Sequence, residues 1–175
     1  MPFLKKSSEP LNETNESSKN RQTKESSGFV KKGSILDAKY LKRGDKIVII
    51  PFKAGVDVTA NDELGRIALM IVKGIADSFH NHGDVFNVLT DENAEGADLI
   101  IKGHVTGIQG PSKIRRWVLL KGRKSLSVEG EMVEKQTWKT VAVFSDQILG
   151  KNDTYNDLGY KIGMNVGEFI SSETE

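Results

Sequence analysis

Two of the three histidines in the chain sit in "FHNHGDVF", residues 79–86, at His-x-His spacing beside Asp84. Imidazole and carboxylate this close could hold a divalent metal, or serve a metal-dependent hydrolase or nuclease. The elements around them argue otherwise. They close a long amphipathic helical stretch, and residues two apart on a helix do not face each other. His-x-His is therefore a poor chelate there, with no third ligand of suitable type nearby and no ββα-metal context. A basic imidazole in the last turn of a helix instead suits its dipole and its free carbonyls. We assign no metal and no cofactor.

A second chemistry-bearing stretch is basic. Lys113, Arg115, Arg116, Lys121, Arg123 and Lys124 surround Trp117 with no acid among them. Arginine beside an aromatic can grip phosphate and stack on a base. The same residues also fit a hairpin whose solvated charges blunt an edge strand, or a surface for a partner with acidic groups. Strand alternation would put Arg115 and Trp117 on one face and Arg116 on the other, which would split the patch.

Motifs for catalysis are missing. No GxGxxG, P-loop or serine elbow is present, and Gly103, Gly107 and Gly110 lie along a strand pattern rather than at a strand-to-helix turn. They relieve crowding or mark bulges. Asp91, Glu92 and Glu95 read as a solvated acidic turn, and His104 as a surface or hydrogen-bonded side chain in mid-strand. The expectation is a protein that is not an enzyme, with no catalytic residues.

The bulk numbers narrow the class. The 175 residues leave room for one domain plus a tail, and the net charge of +1 creates no global field toward nucleic acid or anionic lipid. The absence of cysteine excludes disulfides, thiolate metal sites and cysteine nucleophiles. No run of eighteen apolar residues is present to span a membrane. Residues 1–28 are expected to be a disordered tail or tether: "KKSSEPLNETNESSKNRQTKESSG" holds one sizeable apolar side chain, Leu11. As a tether of about two dozen residues it would reach roughly 25–30 Å. Residues 29–45 form a lead-in segment in which Phe29, Val30, Ile35 and Leu36 could make a short edge element.

Residues 46–172 are read as a single domain. "KIVIIPF", 46–52, is a buried strand with Pro51 near its end. Leu64, Ile67, Ala68, Ile71, Ile75 and Phe79 recur at helical steps. Thr59 with Asp62, or Asn61 alone, caps the start of that helix, and Gly83 stops it. Strands are expected over 84–90, 97–110, 115–120, 124–135 and 139–149, then a helix over 153–172 with the stripe Leu158, Ile162, Val166 and Ile170. The fold class is α+β, with a mixed or mostly antiparallel sheet packed against two helices in the order β-α-β-β-β-β-β-α. The last helix carries Gly159, Gly163 and Gly167, four apart. Each glycine costs up to about 1 kcal/mol against alanine in a helix. Three on one face call for close packing, against the domain's own sheet or, failing that, another subunit.

Three stretches in this order resemble a group of bacterial envelope domains: "KIVIIPF", "ADLIIKGHVTGI", and "KIRRWVLLKGRKSLSVEGEMVEKQTWKTV". The group includes the CsgG-like and TolB N-terminal-like domains, the LpoB-like lipoproteins and other small lipoproteins. The resemblance covers roughly residues 46–171. It implies a sandwich of anticodon-binding-like topology and a non-enzymatic accessory or scaffold role in the periplasm or cell envelope, on a flexible tether. "EKQTWKT" stands where the group has Thr-Gly in its last hairpin turn. The implied partners are envelope proteins and further copies of the chain, with the membrane reached only through an anchor outside the given sequence and nucleic acid disfavoured. The interaction candidates are Arg115, Arg116, Trp117, Lys121, Arg123, Lys124, Trp138, Gly159, Gly163 and Gly167. The alternative is a cytoplasmic nucleic-acid-binding module using 113–124; a hydrolase or metal protein at His80 and His82 ranks third.

Overall fold

The apolar stripe of the first long helix fixes how the layers meet. In the computed structural model, which describes residues 30–89, 94–110 and 123–174, helix α1 runs Asp62–Asn81. All six stripe residues, from Leu64 to Phe79, are buried. The Asn61 side chain caps the start by accepting from the Leu64 N–H at 2.8 Å. At the other end Gly83 takes a left-handed φ of +79°, and Arg43 donates to the carbonyls of His82 and Gly83. Helix α2, Tyr155–Ser172, begins with a capping box: Thr154 accepts from the Asp157 N–H, and Asp157 accepts from the Thr154 N–H. Its stripe of Leu158, Ile162, Val166 and Ile170 is fully buried, each side chain contributing about 1.5–3 kcal/mol.

Seven strands form one mixed sheet: β1 Lys32–Ile35, β2 Lys46–Ile49, β3 Lys53–Ala54, β4 Asn87–Leu89, β5 Leu99–Gln109, β6 Lys124–Glu134 and β7 Thr140–Gly150. The order is β1-β7-β6-β5-β2-β4. Strands β5, β6, β7 and β1 pair antiparallel; β2 runs parallel to both β4 and β5. Ile50, Pro51 and Phe52 interrupt the edge beside β5, which continues with β3 parallel to His104 and Val105. The class is α+β, as the hydrophobic patterns predict. The described order, β-β-β-α-β-β-β-β-α, carries two more strands ahead of the helix than the sequence suggests. β4 begins only at Asn87, because Val85 and Phe86 turn inward and the Phe86 ring packs edge-on to Phe79 at 4.9 Å. The strand expected over 115–120 and the tail 1–28 lie outside the described residues.

Both helices cover one face of the sheet. Ile47, Ile49, Leu99, Ile101, Val105, Leu126, Val128 and Met132 point into that layer and share one core with the helix stripes. The lead-in segment is stitched to this layer by a buried carboxylate. Asp146 on β7 accepts from the Lys31 N–H at 3.2 Å and from Asn165 Nδ2 on α2 at 2.9 Å. On the opposite face, Val48, Ile100 and Val133 form a small apolar cluster with Ala97. Among the described residues no helix covers the rest of that face.

Candidate functional site

The structure separates the sequence candidates. His80 and His82 end α1 with different partners: His80 Nδ1 meets Asp84 Oδ1 at 2.7 Å, and His82 Nδ1 meets the Ser78 carbonyl at 2.8 Å. Among the described residues no three metal-ligating side chains converge. Asp84 stands at a left-handed φ of +53°, which brings its carboxylate back to His80. The hydrogen bond and charge of Asp84 raise the His80 pKa above the ordinary 6.5.

The glycine stripe of α2 requires a correction. Gly159, Gly163 and Gly167 face neither the sheet nor a free surface; they pack on the backbone of α1. A Cβ on Gly159 would lie 3.0 Å from the Ile67 carbonyl oxygen, and one on Gly167 would lie 2.9 Å from that of Ile75. Gly163 sits against Ile71 and Gly74 of α1. The apolar stripe of α2 already covers the sheet, so the glycine stripe beside it is left to meet the neighbouring helix. These three residues are used inside the fold.

Of the basic run, Lys113, Arg115, Arg116, Trp117 and Lys121 lie outside the described residues. Arg123 is exposed, while Lys124 turns inward: its Nζ donates to the Asp153 carbonyl at 3.2 Å and stands over the Tyr155 ring. Trp138 is 62% exposed in the β6–β7 turn and holds a left-handed φ of +57°. Glu134 builds that turn by accepting from the N–H groups of Gln136 and Thr137. Trp138, which follows Thr137, takes the conformation that glycine favours.

What the sequence did not reveal is a trough of about 1070 Å³ across the uncovered sheet face. Its floor follows one cross-strand row. Gly33 on β1 pairs with Phe144 on β7, Phe144 with Gly130 on β6, and Gly130 with Gly103 on β5. The glycines make room beneath for rings in the core. A Cβ on Gly103 would meet the Phe52 ring at 2.6 Å, one on Gly130 the Phe144 ring at 2.5 Å, and one on Gly33 the Phe169 ring at 2.7 Å. Outward-facing residues on either side form the walls. One wall is the register row Lys32–Ser145–Glu129–His104–Lys53, taken from β1, β7, β6, β5 and β3. The other is Ser34–Val143–Glu131–Lys102, with Ile50 and Pro51 beyond.

The walls differ electrically. In the second, Lys102 Nζ pairs with Glu131 at 3.3 Å, and Glu131 also accepts from Thr140 Oγ1 at 2.8 Å. Lys102 Nζ lies 5.7 Å from the centre of the Trp138 ring as well, so this charge is spent locally. In the first wall Lys32, Glu129 and Lys53 are exposed, and none has an ion-pair partner within 4.0 Å among the described residues. The trough therefore offers unneutralised charge beside apolar Ile50 and Val143. That chemistry suits binding.

No protein-family model matches the chain, and no curated protein matches it significantly. Solved structures do share its fold. A PelC dodecamer from Paraburkholderia phytofirmans matches with a TM-score of 0.57 and 13% identity, over 79% of this chain and 97% of that chain. A variant PelC dodecamer from the same organism, in another crystal form, gives 0.54 and 13%, over 74% and 91%. A lipoprotein from Neisseria meningitidis gives 0.43 and 15%, over 70% and 92%; that likeness is too distant to argue from. At these identities the PelC match establishes a common fold.

Proposed function

We propose that this protein is a non-enzymatic accessory or scaffold protein of the bacterial cell envelope, which assembles with copies of itself and binds other proteins. The observation that carries the reading is the fold shared with PelC over 97% of that chain, in a protein that forms a dodecamer. A cyclic closed oligomer would join one patch of each subunit to a different patch of the next. This chain exposes apolar side chains on separate elements that meet that need: Leu36 beside edge strand β1, Leu69 on α1, and Leu149 at the end of β7. The resemblance of the strand and turn motifs to envelope domains supports the location, and a polar tether ahead of the domain fits it. Among the described residues no helix is long and apolar enough to cross a membrane. The nucleic-acid alternative draws less support, because Lys124 is engaged within the fold.

Fractionation of native cells, followed by intact mass and crosslinking, tests this. The protein is expected in the membrane or periplasmic fraction, with a processed or lipid-sized mass change and crosslinks to itself. Recovery from the cytoplasm, unprocessed and uncrosslinked, would overturn the proposal.

A further inference from the structure

The charge order along the trough says what kind of segment it fits. We infer that the trough binds an extended peptide segment of a partner protein that carries a carboxylate at each end and a basic group between them. The inference deepens the reading of the chain as a binding protein and rests on it.

Lys32, Glu129 and Lys53 lie on one cross-strand row, with Ser145 and His104 between them. Neighbouring strands are about 4.8 Å apart. Glu129 is thus about 10 Å from each lysine, and the lysines are about 19 Å apart. The wall reads plus, minus, plus at even steps. A peptide in the extended polyproline II conformation advances about 3.1 Å per residue with about three residues per turn, so residues i, i+3 and i+6 share one face at steps of about 9 Å; two acidic residues roughly six apart would reach both lysines, with the residue midway over Glu129.

The same order disfavours other occupants. A nucleic acid carries a negative charge at every nucleotide, about 3.4 Å apart along one strand, and would lay phosphate against Glu129. A second copy stacked face to face about a two-fold axis through Glu129 would set Lys32 over Lys53, two like charges. Ile50 and Val143 on the facing wall give a peptide side chain apolar contact that a polyanion cannot use.

The test is fluorescence anisotropy with the full chain and three labelled probes. The first is a heptapeptide with Asp at both ends, Lys in the centre and Thr elsewhere. The second has the charges inverted, and the third is oligothymidylate. The first probe is expected to bind at least tenfold more tightly than the second. Glu129→Lys should abolish that preference and favour a peptide whose central residue is also Asp. Lys53→Glu should weaken the first probe at least fivefold. Equal binding of the two peptides, binding of neither, or tightest binding of oligothymidylate would each overturn the inference. Native mass of the same sample separates it from the parent proposal. An oligomer without the peptide preference sinks the trough alone. A monomer with the preference sinks self-association alone.

Discussion

Gly163 of α2 and Gly74 of α1 meet across the helix pair with no side chain between them: a Cβ on Gly163 would fall 2.9 Å from the Gly74 Cα. The two backbones are in contact, and the helix layer depends on that approach. Gly163→Ala gains helix propensity but must push the helices apart. It should destabilise the protein by about 1–3 kcal/mol, lowering Tm by roughly 2–4 °C per kcal/mol for a domain of this size. Gly65→Ala is the control. It lies on α1 with open space around it and should add up to about 1 kcal/mol. Thermal melts of both variants decide the point; an unchanged melt for Gly163→Ala would mean the contact is not tight.

The trough floor depends on a second glycine contact. Gly130→Ala would drive a methyl into the Phe144 ring, at a cost of about 1–3 kcal/mol. Phe144→Leu alone leaves a cavity, so it too is destabilising. Together they should recover part of the summed loss, because the smaller side chain relieves the ring contact but not the contact with the Lys102 carbonyl oxygen. Urea titration of the four proteins gives the coupling; strict additivity would contradict the pairing.

Trp138 is both strained and exposed. Trp138→Gly removes the left-handed penalty and should raise stability by about 1 kcal/mol, while deleting a large aromatic beside Lys102 at the trough. A fall in stability would show that the packing of Lys102 on the ring outweighs the strain.

His80 supplies a pH prediction. Its hydrogen bond to Asp84 favours the protonated ring, with Asp77 adding a weaker charge effect. A raised folded pKa stabilises the native state fully below the unfolded value near 6.5, and the gain is lost as pH rises through the folded pKa. Titration of its ring protons by NMR should give a midpoint above 6.5, returning toward it in Asp84→Asn. A midpoint at or below 6.5 in the native protein would contradict the pairing. Zinc or nickel should leave the melting temperature unchanged.

Much of the fold was legible because burial is one-sided. The stripes of α1 and α2 repeat every three or four residues, so their register follows from the letters, whereas the capping box of α2 was not read from them. The glycine stripe was legible only as a close approach. Glycine shows that something comes near, and the answering Gly74 sits nearly ninety residues earlier. The charged wall of the trough was not legible, since it joins Lys32, Glu129, His104 and Lys53 from four distant strands through register alone. The usable signal was aromatic: Gly103 and Gly130 stand mid-strand in a domain whose Phe52 and Phe144 need flat space. The start of β4 was placed too early for a related reason, as Val85 and Phe86 satisfy a strand pattern while serving as core.

Native mass spectrometry of the full chain, over a hundredfold range of concentration, tests the central claim most directly. The account predicts one discrete closed oligomer larger than a dimer, with no open-ended series. A monomer of 19.3 kDa at every concentration would contradict it.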